Sequence, residues 1–166
     1  MTDRTAGVVR ADEAQVLFDG PLGAFLLAGG DATAGTVSFV VHPLRPRALG
    51  SPVHTHRRED EWSYVLEGEV GVELAGEVVI ARPGDLVLKP RDVPHAFWNA
   101  GDAPARLLEV ITPSGFEHFF AGLGRLAPDG EPSDLDAFAR LCAEHELEMD
   151  LGSVERLAAE HGLRLE

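Results

Sequence analysis

Two histidines one residue apart, His54-x-His56, sit in a run of strand-like composition, and four residues after them stands Glu61. Side chains alternate faces along a strand, so both imidazoles point the same way. Much later, Pro90 and Pro94 bracket a turn that delivers His95. Three imidazoles and one carboxylate form a mixed nitrogen–oxygen donor set. Such a set suits one divalent transition metal (Fe, Mn, Ni, Co, Cu or Zn) and not Ca or Mg, which prefer oxygen throughout. Softness and geometry leave the choice among these metals open. Four protein ligands leave one or two positions free on a five- or six-coordinate ion. One carboxylate cancels one of its two charges, so the site favours an anionic oxygen such as an enolate, a phenolate or a carboxylate. His-x-His alone is no better than a chance pairing; the sequence around it decides.

To bring His54, His56, Glu61 and His95 together, the chain needs several strands. Short runs rich in Val, Leu, Phe and Ile alternate with Gly and Pro up to about residue 113. They read as strands near 15–18, 24–29, 35–42, 52–56, 61–67, 69–74, 77–81, 85–88, 95–99 and 105–112. Many short strands with turn residues between them indicate a β-sandwich or barrel. Glu67-Gly68-Glu69, Ala75-Gly76 and Pro83-Gly84-Asp85 mark tight reversals.

Beyond residue 113 the apolar period becomes helical. Phe116, Phe119, Phe120 and Leu123 share a face, and Gly122 or Gly124 is placed to end that helix. Ser133 or Asp134 can cap a helix carrying Leu135, Phe138, Leu141 and Cys142; Ser153 can cap another carrying Val154 and Leu157, with Gly162 beyond its end. Residues 140–145 echo residues 156–161, which reads as two similar amphipathic helices packed on the barrel. Residues 128–133 read as a connection. The expected organisation is a β-barrel domain over 1–113 and a helical extension over 114–166 that packs on it and covers its mouth.

The spacing His54-x-His56-x4-Glu61-x6-Gly68, followed by Gly84-x5-Pro90-x-Asp92-x2-His95-x3-Asn99, resembles the two motifs of the cupin family. The sequence departs from the pattern twice. Asp92 stands where the family has Gly, a position that Asp tolerates in left-handed backbone. Ala48 stands where a Gly precedes the first histidine, with Gly50 nearby. The resemblance covers about residues 35–112. It implies a mainly β cupin jelly-roll barrel with C-terminal α-helices and a metal inside, held by His54, His56, Glu61 and His95. The segment from Pro113 to Gly124 is similar to the one following the barrel in small bacterial cupins of the quercetin 2,3-dioxygenase type.

Alternation from Glu61 turns Ser63 and Val65 inward and Trp62 and Tyr64 outward; from His95 it turns Phe97 inward and Trp98 outward. Phe25, Leu27, Phe39 and Val41 are candidates for apolar lining. His42, His118, His145 and His161 read as structural or surface residues, Glu59 and Asp60 as solvated neighbours of Glu61, and Asn99 as the fastener of a turn.

The expected function is oxidation of a flavonol-like or other enolisable aromatic small molecule by O2, a dioxygenase in which Glu61 is also the proton acceptor. Two alternatives stand beside it: a metal-assisted isomerase, cyclase or hydrolase of a small carbonyl compound, and a non-catalytic binding module. The net charge of −14 over 166 residues argues against nucleic acid as a partner. No apolar run approaches the roughly 20 residues needed to span a bilayer. Residues 1–7 show no signal peptide, and the single Cys142 excludes an internal disulfide, so the expected location is the cytoplasm. The outward aromatics and the resemblance together imply a homodimer.

Overall fold

A computed structural model describes residues 6–128 and 132–165. The reading of residues 1–7 and that of the connection at 128–133 therefore fall partly outside the described residues.

Two antiparallel sheets face each other. The first, of six strands, runs in the order β1 (Gln15–Phe18), β2 (Ala24–Ala28), β3 (Ser38–Leu44), β10 (Ala105–Thr112), β5 (Asp60–Glu67), β8 (Leu86–Lys89). The second, of five, runs β11 (Leu147–Asp150), β4 (Leu49–His56), β9 (His95–Asn99), β6 (Val70–Leu74), β7 (Glu77–Ala81). This is the mainly β cupin fold. The turn residues do what their types allow. Ala75 and Gly76 both have positive φ (50° and 87°), the geometry that matches the twist of the β6–β7 hairpin. Asp92 has φ of 65°, so it adopts the left-handed backbone expected of it.

In β3 and β10 every second residue is buried. Inward come Ser38, Val40, His42 and Leu44, which corrects the expectation for β3: Phe39 and Val41 lie on the outer face. Inward on β10 come Ala105, Leu107, Glu109 and Ile111. For β5 the parity holds, with Glu61, Ser63 and Val65 inside and Tyr64 outside.

The C-terminal part adds more than helices. α2 (Glu117–Leu126), α3 (Leu135–Glu144) and α4 (Ser153–His161) are joined by β11, which pairs with the ligand-bearing β4: Leu147 opposite His56 and Met149 opposite His54. Helix α2 does not stop at Gly122 or Gly124. These are packing positions: a Cβ on Gly122 would press into Leu141 at 2.6 Å, and one on Gly124 would meet the carbonyl oxygen of Leu17 at 2.2 Å. Asp134 caps α3, its carboxylate accepting from the Ala137 amide at 2.9 Å. Ser153 does not cap α4; its hydroxyl donates to the Asp150 carbonyl and accepts from the Val53 amide, fastening the helix to β4. Trp98 lies under α4, stacked on His161 and packed with Leu157. Asn99 is fully buried and donates to the carbonyls of Arg45 and Ala103, the turn-fixing role expected of it.

The outer face of the six-stranded sheet has no such cover among the described residues. Cross-strand pairing aligns Leu86, Tyr64, Leu108, Val41 and Phe25 in one row and Leu88, Trp62, Val110 and Phe39 in the next. Leu86 and Leu88 are more than half exposed, at 56% and 57%. No helix of the described residues is long and apolar enough to cross a membrane.

Candidate metal centre and its cavity

Strands β4, β5 and β9 converge on one point. His54 and His56 come from the end of β4, Glu61 from the start of β5, and His95 from the start of β9, directly opposite His54 in register. One potential ligand atom from each of the four lies within 4.8 Å of all the others, and all four residues are buried. Glu61 Oε1 is 3.4 Å from His56 Nε2, and Glu61 Oε2 is 3.3 Å from His95 Nε2.

The second nitrogens show which atoms are free to bind. His54 Nδ1 donates to the Pro52 carbonyl and His95 Nδ1 to the Val93 carbonyl, both at 2.9 Å. A carbonyl only accepts, so the proton sits on Nδ1 and Nε2 is left as a bare lone pair. His56 Nδ1 faces the Glu59 carboxylate at 3.6 Å. Glu59 is buried, which corrects its reading as a solvated residue, whereas Asp60 is held at the surface by Arg91. Both ring nitrogens of His56 and Nε2 of His95 are buried with no hydrogen-bond partner. Buried polar atoms left unpaired are unfavourable, and His56 Nε2 and His95 Nε2, which converge beside Glu61, fit a cation that would satisfy them. The donor chemistry fits a divalent transition metal held by His54, His56, Glu61 and His95.

The charges around this point follow from burial. Burial together with the neighbouring imidazoles His95 and His56 holds His54 well below the usual histidine range. For His56 burial also disfavours the charged ring, but the charges of Glu61 and Glu59 outweigh it and push the pKa up to about 9. Burial opposes ionisation of Glu61, yet His56 and Lys89 hold it well below the usual carboxylate range.

Lys89 and Glu109 were not among the expected site residues. Lys89 Nζ donates to Glu61 Oε2 at 3.0 Å and to Glu109 Oε2 at 2.8 Å, and Ser63 Oγ donates to Glu109 at 2.9 Å. All four are buried. Burial pushes the Glu109 pKa up to about 7 even beside Lys89.

On the open side lies a cavity of about 360 Å3. His54 and Glu61 form part of its wall; the rest includes His42, Phe97, Phe116, Phe119, Phe120 and Phe138. Helices α2 and α3 thus cover the barrel mouth with aromatic rings. Of the other histidines, His118 is exposed on α2, His145 ends α3 beside Phe116 and Phe119, and His161 stacks on Trp98. His42 is buried, bound through Nδ1 to the Gly23 carbonyl, and also borders the cavity.

Residues 40–111 match the family profile described as Cupin domain. Over 82 residues the chain is 34% identical to "Polyketide synthase CurC" of Streptomyces cyaneus, covering 49% of this chain and 51% of that protein. It is 37% identical over 82 residues to "Protein SchB" of Streptomyces halstedii, covering 49% and 57%. The chain spans about half the length of these curated relatives. Among solved structures, KdgF from Halomonas sp. superposes with a TM-score of 0.60 at 20% identity, over 69% of this chain and 99% of that one, a likeness of fold. One of these sequence relatives is named as a polyketide synthase and neither is named as a quercetinase.

The ligand assignment has a direct check. Loss of the outer partner of a metal-bound histidine typically weakens binding about 10–100-fold. Glu59→Ala is expected to fall in that range, and His56→Ala, which removes a ligand, to fall further. Metal analysis and competition titration, with folding checked by circular dichroism, measure both. Full metal content in His56→Ala would remove the residue from the ligand set.

Proposed function

We propose that this chain is a metal-dependent enzyme acting on a phenolic or otherwise enolisable aromatic small molecule, with dioxygenation as its reaction. The observation behind this reading is that one cavity is walled both by the metal-type cluster, through His54 and Glu61, and by a band of phenylalanines. A divalent ion held by the cluster would supply a Lewis acid for a substrate oxyanion and a centre for O2 chemistry. The chain's own residues do the rest. Phe97, Phe116, Phe119 and Phe120 hold a flat ring and exclude water. Glu61, kept ionised by its surroundings, is available to take the hydroxyl proton. Lys89 fixes one oxygen of that carboxylate in place.

Likeness to a protein named as a polyketide synthase supports substrates of polyketide type, whose skeletons are dense in phenols and enolisable carbonyls. The same likeness favours a second reading, isomerisation or ring closure of such a compound without O2. The test uses chain loaded separately with Fe, Mn, Ni, Co and Cu, and a panel of flavonols, naphthols and 1,3-diketones. Oxygen uptake matching substrate loss is the expected result. Turnover under anaerobic conditions would move the assignment to the second reading, and binding without turnover to a non-catalytic module.

We also propose that the chain works as a homodimer through the outer face of the six-stranded sheet. The two apolar rows there carry no charged side chain. Two chains each of net charge −14 repel overall, so these uncharged rows are where a second copy can approach. A two-fold axis lets one face cover its own copy. Light scattering at micromolar concentration is expected to give the mass of two chains, and Leu88→Glu to give one. A wild-type monomer throughout would refute this arrangement.

A further inference from the structure

We infer that His42 is a substrate-recognition residue, whose Nε2 accepts a hydrogen bond from a second hydroxyl of the aromatic ligand bound in the cavity. The assignment depends on the cavity being the substrate pocket and goes further by naming what the substrate must carry.

His42 projects inward from β3 and is fully buried. Its ring lies edge-on to Phe120, with centroids 5.1 Å apart, and tilted against Phe97 at 6.3 Å. Nδ1 is 2.6 Å from the carbonyl oxygen of Gly23. That oxygen only accepts, so Nδ1 carries the proton and Nε2 is an acceptor. Nε2 has no protein partner among the described residues, yet it is not one of the polar atoms sealed off from all space. The space that His42 borders is the cavity. Burial lowers the His42 pKa to about 4, so the ring is neutral near pH 7 and Nε2 keeps its lone pair.

An acceptor facing an aromatic pocket is a selective device. A ligand that brings a hydroxyl satisfies it, whereas an unsubstituted or O-methylated ring strips away its water and returns nothing. His54 and Glu61 border the same cavity, so a ligand in it is shared between His42 and the metal-type cluster. The substrate class is therefore an aromatic compound with two oxygen functions: an acidic hydroxyl for the metal centre and a second hydroxyl as donor to His42. A purely structural histidine needs only its Nδ1 bond to Gly23, and an asparagine can make that bond as well.

The test uses the full chain loaded with zinc, which does not turn over aromatics oxidatively, and two probes, 1,5-dihydroxynaphthalene and 1-naphthol. Calorimetry on the wild type is expected to show the diol binding roughly five- to tenfold tighter, the worth of one hydrogen bond to a buried acceptor. In 15N-histidine-labelled protein the Nε2 resonance of His42 is expected to move upfield with the diol and not with 1-naphthol. His42→Asn retains a donor for the Gly23 carbonyl and lacks the cavity-facing atom. It should melt close to wild type, bind 1-naphthol as before and lose the preference for the diol. His42→Gln, which carries an amide oxygen out toward the Nε2 position, should recover part of that preference and serves if the asparagine variant folds poorly. An unchanged preference in both variants, or an unmoved Nε2 resonance, would overturn the role of His42 and leave the aromatic pocket standing. If the wild type binds neither naphthol, the pocket reading fails and takes this assignment with it.

Discussion

Glu61→Gln, compared with wild type at matched metal content, is expected to turn over about 10²–10⁴-fold more slowly, the range typical of a lost general base. Glu61 Oε1 lies against His56 and Oε2 against His95 and Lys89. Glutamine has the same shape but cannot take a proton. Its amide also has only one acceptor oxygen, and the Lys89 ammonium will claim it, turning the NH2 toward the histidines. Metal affinity should therefore drop too, which is why the comparison is made at equal occupancy. The loss belongs in kcat with little change in KM, because the phenylalanine walls that bind the ring are untouched. The Lys89 charge that keeps Glu61 ionised also weakens it as a base. Proton transfer is thus favourable only for a hydroxyl made acidic by contact with the metal centre, and plain alcohols should not react. A metal-matched Glu61→Gln with the wild-type rate would remove Glu61 as the proton acceptor.

The four candidate ligands are legible in the sequence because their spacing resembles the two cupin motifs, and local geometry supports part of that set. His54 and His56 share a face by strand alternation alone, and Pro90, Asp92 and Pro94 announce the turn before His95. What sequence reasoning misses is what depends on partners far along the chain. Lys89 and Glu109 occupy inward positions by their own alternation, Val87 and Lys89 on β8 and Leu107, Glu109 and Ile111 on β10. A charged residue read alone defaults to solvent. Only the placement of β5 between β8 and β10 shows that the two charges meet across Glu61. The outward reading of Glu59 fails for a similar reason, since its buried partner is a ligand. β11 is short and carries two acids in four residues, so nothing local marks Leu147–Asp150 as a strand. It forms because β4 offers a free edge more than ninety residues earlier. The phenylalanines of α2 are legible as an apolar face. That they roof the cavity, and that His42 completes its wall, follows from how the two sheets close.

Lys89→Met is expected to destabilise the metal-free fold by about 3–5 kcal/mol, the cost of stripping the partner from buried charge. Methionine fits the space of the lysine stem, so little of the loss comes from packing. It comes from two carboxylates, Glu61 and Glu109, left facing one another where Lys89 had donated to both. The loss should be smaller with metal bound, because the ion neutralises Glu61 and leaves Glu109 as the sole unpaired charge. The deficit should also grow with pH. Burial already raises the Glu109 pKa to about 7 with Lys89 present, and removing the cation raises it further. A carboxyl whose folded pKa exceeds its unfolded value binds more protons in the folded state. Its folded form is therefore favoured at low pH and loses stability as pH rises from the unfolded value of about 4.3 through the folded one. Denaturant melts of Lys89→Met should accordingly lie closer to wild type at pH 6 than at pH 8. Adding Glu109→Gln to Lys89→Met should restore part of the loss and flatten the pH dependence. A pH-independent loss of under 1 kcal/mol would mean that Lys89 does not hold these carboxylates together in solution.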